Sequence, residues 1–340
     1  MLQLLVIKDR LIKCDISSCL KSCRSYSRVE ITPHQHIEQL PQLWDRPELL
    51  DRAIELTKEL IPRIAADNYY DILQGVSGVI PVMLGLIKTA SGKNVGCATD
   101  CAVQCAQHLL DGALRQEDTL SWHCGRLDLM RANPTGFSHG ASGGGWALIS
   151  LGCHLDEQEY IRAGHQAFAY EAMHFDRKHG DWYDLRKSVM VAGSDEPHFA
   201  NAWCNGSAGI GLSRIASWAV LGKNNDDILR EANAALNATL RNFEKLSNDS
   251  LCHGRSGNAE LLLRFAQLRD VPYLQMEANV QAQAQWRGFE SARAWHCGAT
   301  TKDTFPDLML GIAGIGMHFL RLAYPDRVPS PLLLDPPPSV

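Results

Sequence analysis

The chain has 340 residues, 45% of them hydrophobic, with eleven cysteines and a formal net charge of −5 at pH 7. That apolar content buries a large core without covalent staples, and the acidic balance argues against a nucleic-acid partner, whose phosphates call for a basic face. No stretch reaches the roughly 18 apolar residues of a membrane span, and the start MLQLLVIKDRLIKC has too short an apolar run for a secretory signal, so a cytoplasmic protein with reduced thiols is expected.

Residues 1–35 read as an irregular N-terminal segment, with Cys14, Cys19 and Cys23 as free thiols. HIEQLPQLWDRPELLDRAIELTKELIPRI (36–64) reads as an outer, amphipathic helix whose preceding inner helix has no counterpart. Then come five G-x-x-G units: QGVSGVI (Gly75, Gly78), SHGASGG (Gly140, Gly143), CNGSAGI (Gly206, Gly209), CHGRSGN (Gly254, Gly257) and LGIAGIG (Gly311, Gly314). Their first glycines are separated by 65, 66, 48 and 57 residues. One such unit means little; five, each leading into an apolar run of about a dozen residues such as GWALISLGCHL or IGLSRIASWAVLG, mark a structural repeat.

The apolar runs read as short, deeply buried helices, apolar nearly all round. Longer amphipathic stretches follow four of them, such as DEQEYIRAGHQAFAYEAM (156–173) and DDILREANAALNATLRNFEKL (226–246). Cys97, Cys101 and Cys105 share one helix face and read as small packing residues; His318, inside GIGMHFLRL, reads as a core histidine with its hydrogen bonds met. The expected fold is all-α, with little strand. Helical hairpins, inner helix buried and outer helix amphipathic, form an α/α toroid in which each inner helix starts at its glycines on one rim.

If every G-x-x-G lies on one rim, the side chains just ahead of them converge. They are Asp71, His139, Cys204, Cys252 and His253. Cys204, Cys252 and His253 form a three-ligand zinc set with a fourth position open; alternatively the cysteines are buried as small hydrophobes. The pairs His123–Cys124, Cys153–His154 and His296–Cys297 do not precede a G-x-x-G, so position on the rim, rather than the dipeptide, carries the signal.

GFSHGASGGGWAL, AWCNGSAGIGLSR, LCHGRSGNAELLL and FPDLMLGIAGIGMHFLRL, in this order, resemble the signature segments of the lanthionine synthetase C-like family, the lanthipeptide cyclases. The ending PDLMLGIAGIGMHFLRLAYPDRVPSPLLLDPPP is most similar to the C-terminal cyclase portion of class II bifunctional synthetases. The resemblance implies a catalytic Zn²⁺ on Cys204, Cys252 and His253, and places Asp71 and His139 at the family's acid/base positions. It implies that a cysteine thiol of a precursor peptide adds to a dehydroalanine or dehydrobutyrine, closing a thioether ring. The expected partners are a dehydrated precursor peptide, leader and core, and a separate dehydratase.

Two departures from the family pattern stand out. The family toroid has seven hairpins, of which five are recognisable here, so residues 36–340 are expected to form an N-terminally truncated cyclase domain with exposed apolar flanks. Some cyclases also carry an arginine four residues before the first zinc cysteine, where this chain has Ala200; Arg186 or His198 is the expected stand-in. Two alternative functions remain: a catalytically silent, zinc-binding remnant or peptide-binding subunit, and addition of glutathione to dehydroamino acids. A glycosidase-like toroid lacks the paired carboxylates on the rim.

Overall fold

The computed structural model describes residues 48–90, 95–123, 130–187, 197–299 and 304–336, all within one unit, Ile31–Val340. The segment expected at 1–35, with its three cysteines, lies outside the described residues, as do residues 36–47 of the first expected helix. The described elements are α1 (Glu48–Leu60), α2 (Val76–Thr89), α3 (Gly96–Gly112), the strands β1 (Leu114–Gln116) and β2 (Thr119–Ser121), α4 (Ala141–Leu155), α5 (Gln158–Ala172), β3 (Phe175–Asp176), β4 (Asp181–Trp182), α6 (Ser207–Val220), α7 (Asp226–Asn242), α8 (Arg255–Arg269), α9 (Pro272–Ala292) and α10 (Ile312–Ala323). Among the described residues, strand is confined to two short antiparallel pairs, β1–β2 and β3–β4.

The helices pair as hairpins, α2 with α3, α4 with α5, α6 with α7 and α8 with α9. The inner members pack in series: α2 on α4, α4 on α6, α6 on α8 and α8 on α10. Each inner helix begins right after the first glycine of its G-x-x-G, with Gly75, Gly140, Gly206, Gly254 and Gly311 as N-caps. Two of the outer helices, α5 and α7, start on polar side-chain caps, Glu157 and Asn225. Asn225 accepts the Ile228 N–H at 3.0 Å, with Asp226 and Asp227 in the first turn of α7. Pro272 opens α9, where its missing N–H costs nothing. Asp156 and Asp270, at φ +56° and +51°, end α4 and α8 in the left-handed region, so the chain doubles back at once into the outer helix.

The glycines answer to steric approach. A side chain at Gly209 would put its Cβ 2.0 Å from the Trp203 carbonyl oxygen, and one at Gly75 would sit 2.3 Å from the Asp71 nitrogen. Each turn is folded so tightly onto the start of its helix that only hydrogen fits.

The core runs along the inner helices, where Leu148, Ile149, Leu212, Ile215, Leu261 and Leu262 are fully buried. On α3, Cys101 and Cys105 are buried beside Ala98 and Ala102 and are packing residues, while Cys97 is only partly buried. The inner helices are less uniformly apolar than expected. Arg214 of α6 has no exposure; it donates to Glu171 at 3.0 Å and to Glu231 at 2.7 Å and lies over the Phe168 ring at 3.6 Å. Glu260 of α8 is paired in the same way with Arg321 of α10 at 2.7 Å. A buried charge is tolerated only with such a partner, and the Arg214–Glu171 and Arg321–Glu260 pairs are matched across adjacent hairpins.

Two expectations need correcting. His318 is buried at 1% exposure, yet neither ring nitrogen has a hydrogen-bond partner among the described residues. Burial, aided by the nearby Arg321 charge, pushes its pKa down to about 3, so it stays neutral as an apolar ring would. Nor is α10 deeply buried: Ile312 and Leu320 are 38% and 46% exposed. Among the described helices it packs chiefly on α8 and α9. Its flank and α9 border a cleft of about 540 Å³, lined by Asn279, Trp286, Phe319 and Leu322 among others.

The Trp203 oxygen that crowds Gly209 also accepts the Phe137 N–H at 3.2 Å. Gly209→Ala is therefore expected to destabilise the fold by about 1–3 kcal/mol, despite the better helix propensity of alanine. Urea or thermal unfolding of the variant checks this; an unchanged or raised midpoint contradicts the close-approach account.

Candidate functional site

The turns ahead of the inner helices are laced together by backbone hydrogen bonds. Ile72 N–H donates to Ser138 O (3.0 Å), Phe137 N–H to Trp203 O (3.2 Å), Trp203 N–H to Cys252 O (3.0 Å) and Cys252 N–H to Met309 O (2.9 Å). Each turn thus donates to the next one along the array, and the five N-termini lie on one rim. Residues up to 68 positions apart in sequence meet there.

The sulfurs of Cys204 and Cys252 and an imidazole nitrogen of His253 all lie within 4.8 Å of one another. Cys204 is buried, and Cys252 and His253 partly so. Hydrogen bonds from Cys252 and His253 hold the Cys204 thiol well below its ordinary pKa, against the effect of burial, and the neighbouring imidazoles add to this. Cys252 is pushed up by the same shared bond, by burial and by the Cys204 charge. His253 is drawn up chiefly by its hydrogen bond to Cys204.

The tautomer of His253 follows from its other contact. Nε2 lies 2.9 Å from the Gly298 carbonyl oxygen, which only accepts, so Nε2 carries the hydrogen and Nδ1 is left for the sulfurs. A metal-binding imidazole is ordinarily held in this way. Gly298 is fixed by its own N–H to Leu310 O (2.7 Å), and a Cβ there would lie 2.6 Å from Ser250 Oγ. Two thiols and one oriented imidazole are a donor set suited to a borderline-soft cation such as zinc.

On the next turns, His139 Nδ1 lies 2.8 Å from Asp71 Oδ2, with the Asp71 side chain 2% exposed and that of His139 33%. The other Asp71 oxygen caps its own turn, accepting from Gln74 N (2.6 Å) and Gly75 N (3.1 Å). The carboxylate is thereby locked, and its lock orients His139 with Nε2 as the available nitrogen. Burial presses the His139 pKa down, but the hydrogen bond and charge of Asp71, helped by Cys204, outweigh it and the net shift is upward. The loop that carries His139 is clamped at both ends by the buried Glu171, which accepts Gly136 N at 2.8 Å and Ser142 N at 2.9 Å. Gly136 needs its positive φ of 105°, and its α-carbon faces the Cys204 carbonyl, 2.6 Å from where a Cβ would lie.

All five residues expected on the rim are there. Three further ones belong with them. Asp307 stands four residues before Gly311, as Asp71 does before Gly75, and accepts Leu310 N at 2.6 Å as Asp71 accepts Gln74 N; the repeat itself contained that signal. It is exposed, and its charge helps raise the Cys252 pKa. Gly298 comes from a loop outside the repeat, with no sequence mark. Arg186 is the third: its Nη2 donates to Asp184 Oδ2 at 2.6 Å and its Nε to Oδ1 at 3.0 Å. The charges of Cys204 and Cys252 both raise the Arg186 pKa, after the larger effect of Asp184. His198 is exposed, and its carbonyl accepts Asp184 N–H at 2.8 Å. Ala200 is buried, its own carbonyl packed against Gly206.

Asp71→Asn removes the anion that raises the His139 pKa, so the His139 titration is expected to move to lower pH. The wild-type pair stabilises the fold fully below the unfolded value near 6.5 and loses that contribution as pH rises through the higher folded value. An NMR titration of the His139 ring protons reads both; equal midpoints in the two proteins contradict the assigned coupling.

The solved structure of a nisin cyclase matches with a TM-score of 0.69 and 17% identity, over 94% of this chain and 84% of its own. The Lin0763 protein from Listeria innocua matches with a TM-score of 0.54 and 12% identity, over 87% and 86%. Likeness at these identities speaks to architecture, and the architecture is the α/α toroid of inner and outer helices. No curated protein matches the chain in sequence. The profile of the lanthionine synthetase C-like proteins matches residues 37–333, and the chain belongs to that family.

Proposed function

We propose that the protein is a zinc-dependent peptide cyclase, adding cysteine thiols to dehydroalanine or dehydrobutyrine residues of a precursor peptide to form lanthionine-type thioether rings. The observation that carries this reading is the placing of two devices on one rim: a Cys204–Cys252–His253 donor cluster with Nδ1 of His253 turned to the sulfurs, and the Asp71–His139 pair on the adjoining turns. Residues 36–340 form the cyclase domain in this proposal, the substrate arrives from a separate dehydratase, and the setting is the cytoplasm.

Zinc held by Cys204, Cys252 and His253 would supply an open fourth position at which a thiol loses its proton and stays nucleophilic, since two protein thiolates keep the ion electron-rich. The residues of the chain handle the rest. As the sulfur electron pair forms the S–Cβ bond, the C=C π pair moves toward Cα and the acyl oxygen, and Cα needs a proton. His139 gives it from Nε2, because Nδ1–H is committed to Asp71. Asp71 holds the ring in that orientation and stabilises its protonated form, which keeps the acid charged to higher pH. The proton shed by the thiol restores His139 for the next turnover.

A second reading, the catalytically silent peptide-binding remnant, draws support from the exposed apolar flank of α10. The two separate in one set of measurements. Wild type and His139→Ala are expected to bind about one zinc per chain, and Cys204→Ala to lose it. His139→Ala is expected to lose about 10²–10⁴-fold in ring closure, followed as loss of free thiol on a dehydrated peptide and corrected for the uncatalysed addition. Equal zinc in wild type and Cys204→Ala sinks the metal assignment. Background rates in wild type itself favour the remnant.

A further inference from the structure

Arg186 sits where the two arms of the site meet. Its segment, 183–186, is tied on one side to 130–131 by the Met130–Arg186 bridge and by Arg131 N–H to Leu185 O at 2.9 Å. On the other side the Tyr183–Phe199 bridge and Asp184 N–H to His198 O at 2.8 Å tie it to 198–199. The first of these partners runs on into the turn bearing His139, the second into the turn bearing Cys204. Thr135 Oγ1, donating to Tyr183 O at 3.4 Å, adds a further tie to the His139 arm.

The guanidinium is fixed but not enclosed. Asp184, at 1% side-chain exposure, grips Nε and Nη2, while the arginine side chain is 35% exposed and Nη1 bonds to no described residue. A permanent cation held at the junction of the two arms, with one nitrogen unengaged, is placed to meet an anion that forms between them.

The reaction proposed above generates such an anion. Addition of sulfur at Cβ sends the π pair through Cα to the acyl oxygen, and His139 serves the carbon but leaves the oxygen unmet. We propose that Nη1 of Arg186 donates to that acyl oxygen and takes up its developing negative charge, a role that rests on the cyclase reading. Asp184 preorganises the guanidinium, so little rearrangement is needed when the charge appears. After His139 delivers its proton to Cα the oxygen returns to a neutral carbonyl and the hold on it relaxes.

The test uses the zinc-loaded full chain and two small thiols. 3-Mercaptopropionate carries its carboxylate at the distance from sulfur that the developing oxyanion has; propane-1-thiol has the same reach and no charge. Calorimetric titration is expected to show the wild type preferring the carboxylate by about tenfold or more, as a charge-assisted pair gives. Arg186→Gln should lose that preference while keeping its zinc and its affinity for propane-1-thiol. On a dehydrated peptide its kcat should fall about 10²–10³-fold with a smaller change in KM. Arg186→Lys, which retains a cation for Asp184 but not the fork, should fall between the two. A carboxylate preference that survives in Arg186→Gln overturns the proposal; so does loss of zinc from both variants, which would make Arg186 a support for the fold. An Arg186-dependent preference without ring closure by wild type upholds the oxyanion-holding arginine and removes the cyclase reading. Ring closure at equal rates in wild type and Arg186→Gln removes the arginine and leaves the cyclase.

Discussion

The molecule depends on how closely one turn approaches the next. Each inner helix starts against the backbone of its own preceding turn, so closely that a Cβ at Gly257 would lie 1.8 Å from the Leu251 carbonyl oxygen and one at Gly314 1.8 Å from Leu308 O. With the turns compressed in this way, their outward N–H and C=O groups are free to bond to the neighbouring turns. The resulting row, from Ile72 through Ser138, Phe137, Trp203 and Cys252 to Met309, pairs backbone groups of each turn with the next. It also sets the spacing of every chemically active side chain.

The same arrangement explains why the site can hold so many ionisable groups. Two thiols, two imidazoles and the carboxylates of Asp71 and Asp307 stand within one small mouth, and Asp71, Asp307 and His253 are each fixed by a backbone contact. Asp71 and Asp307 spend one oxygen on their own turns, which leaves a second oxygen in a known direction. Behind the rim, Arg214 and Glu171 bring a wholly buried pair of charges to the loop of His139. Breaking such a pair leaves a bare charge in the core, so it serves orientation better than stability.

At the far end of the array the regularity weakens. α10 keeps the glycine start and the buried pair Arg321–Glu260, yet its outer flank carries exposed Ile312 and Leu320 beside the aromatic group of Trp286, Phe289, Trp295 and Phe319. The repeat places the helix; only a neighbour on each side buries it.

The five-fold G-x-x-G pattern was enough to locate the inner helices, the rim and the residues Asp71, His139, Cys204, Cys252 and His253. That information is local: the steric conflict that demands each glycine arises within about six residues, so it is written in adjacent letters. The same offset also marked Asp307. What the tertiary structure alone decided arises between segments with no common repeat. Gly298 selects the His253 nitrogen from a loop 45 residues away, Glu171 clamps the His139 loop from the end of α5, and Glu260 finds Arg321 across two helices. Arg186 was one of two candidates for a missing cation, and only the pairing of its segment with both arms of the site chose it. Local sterics leaves its trace in sequence because near neighbours must satisfy it; a long-range polar partner leaves none, since any well-placed segment can supply it.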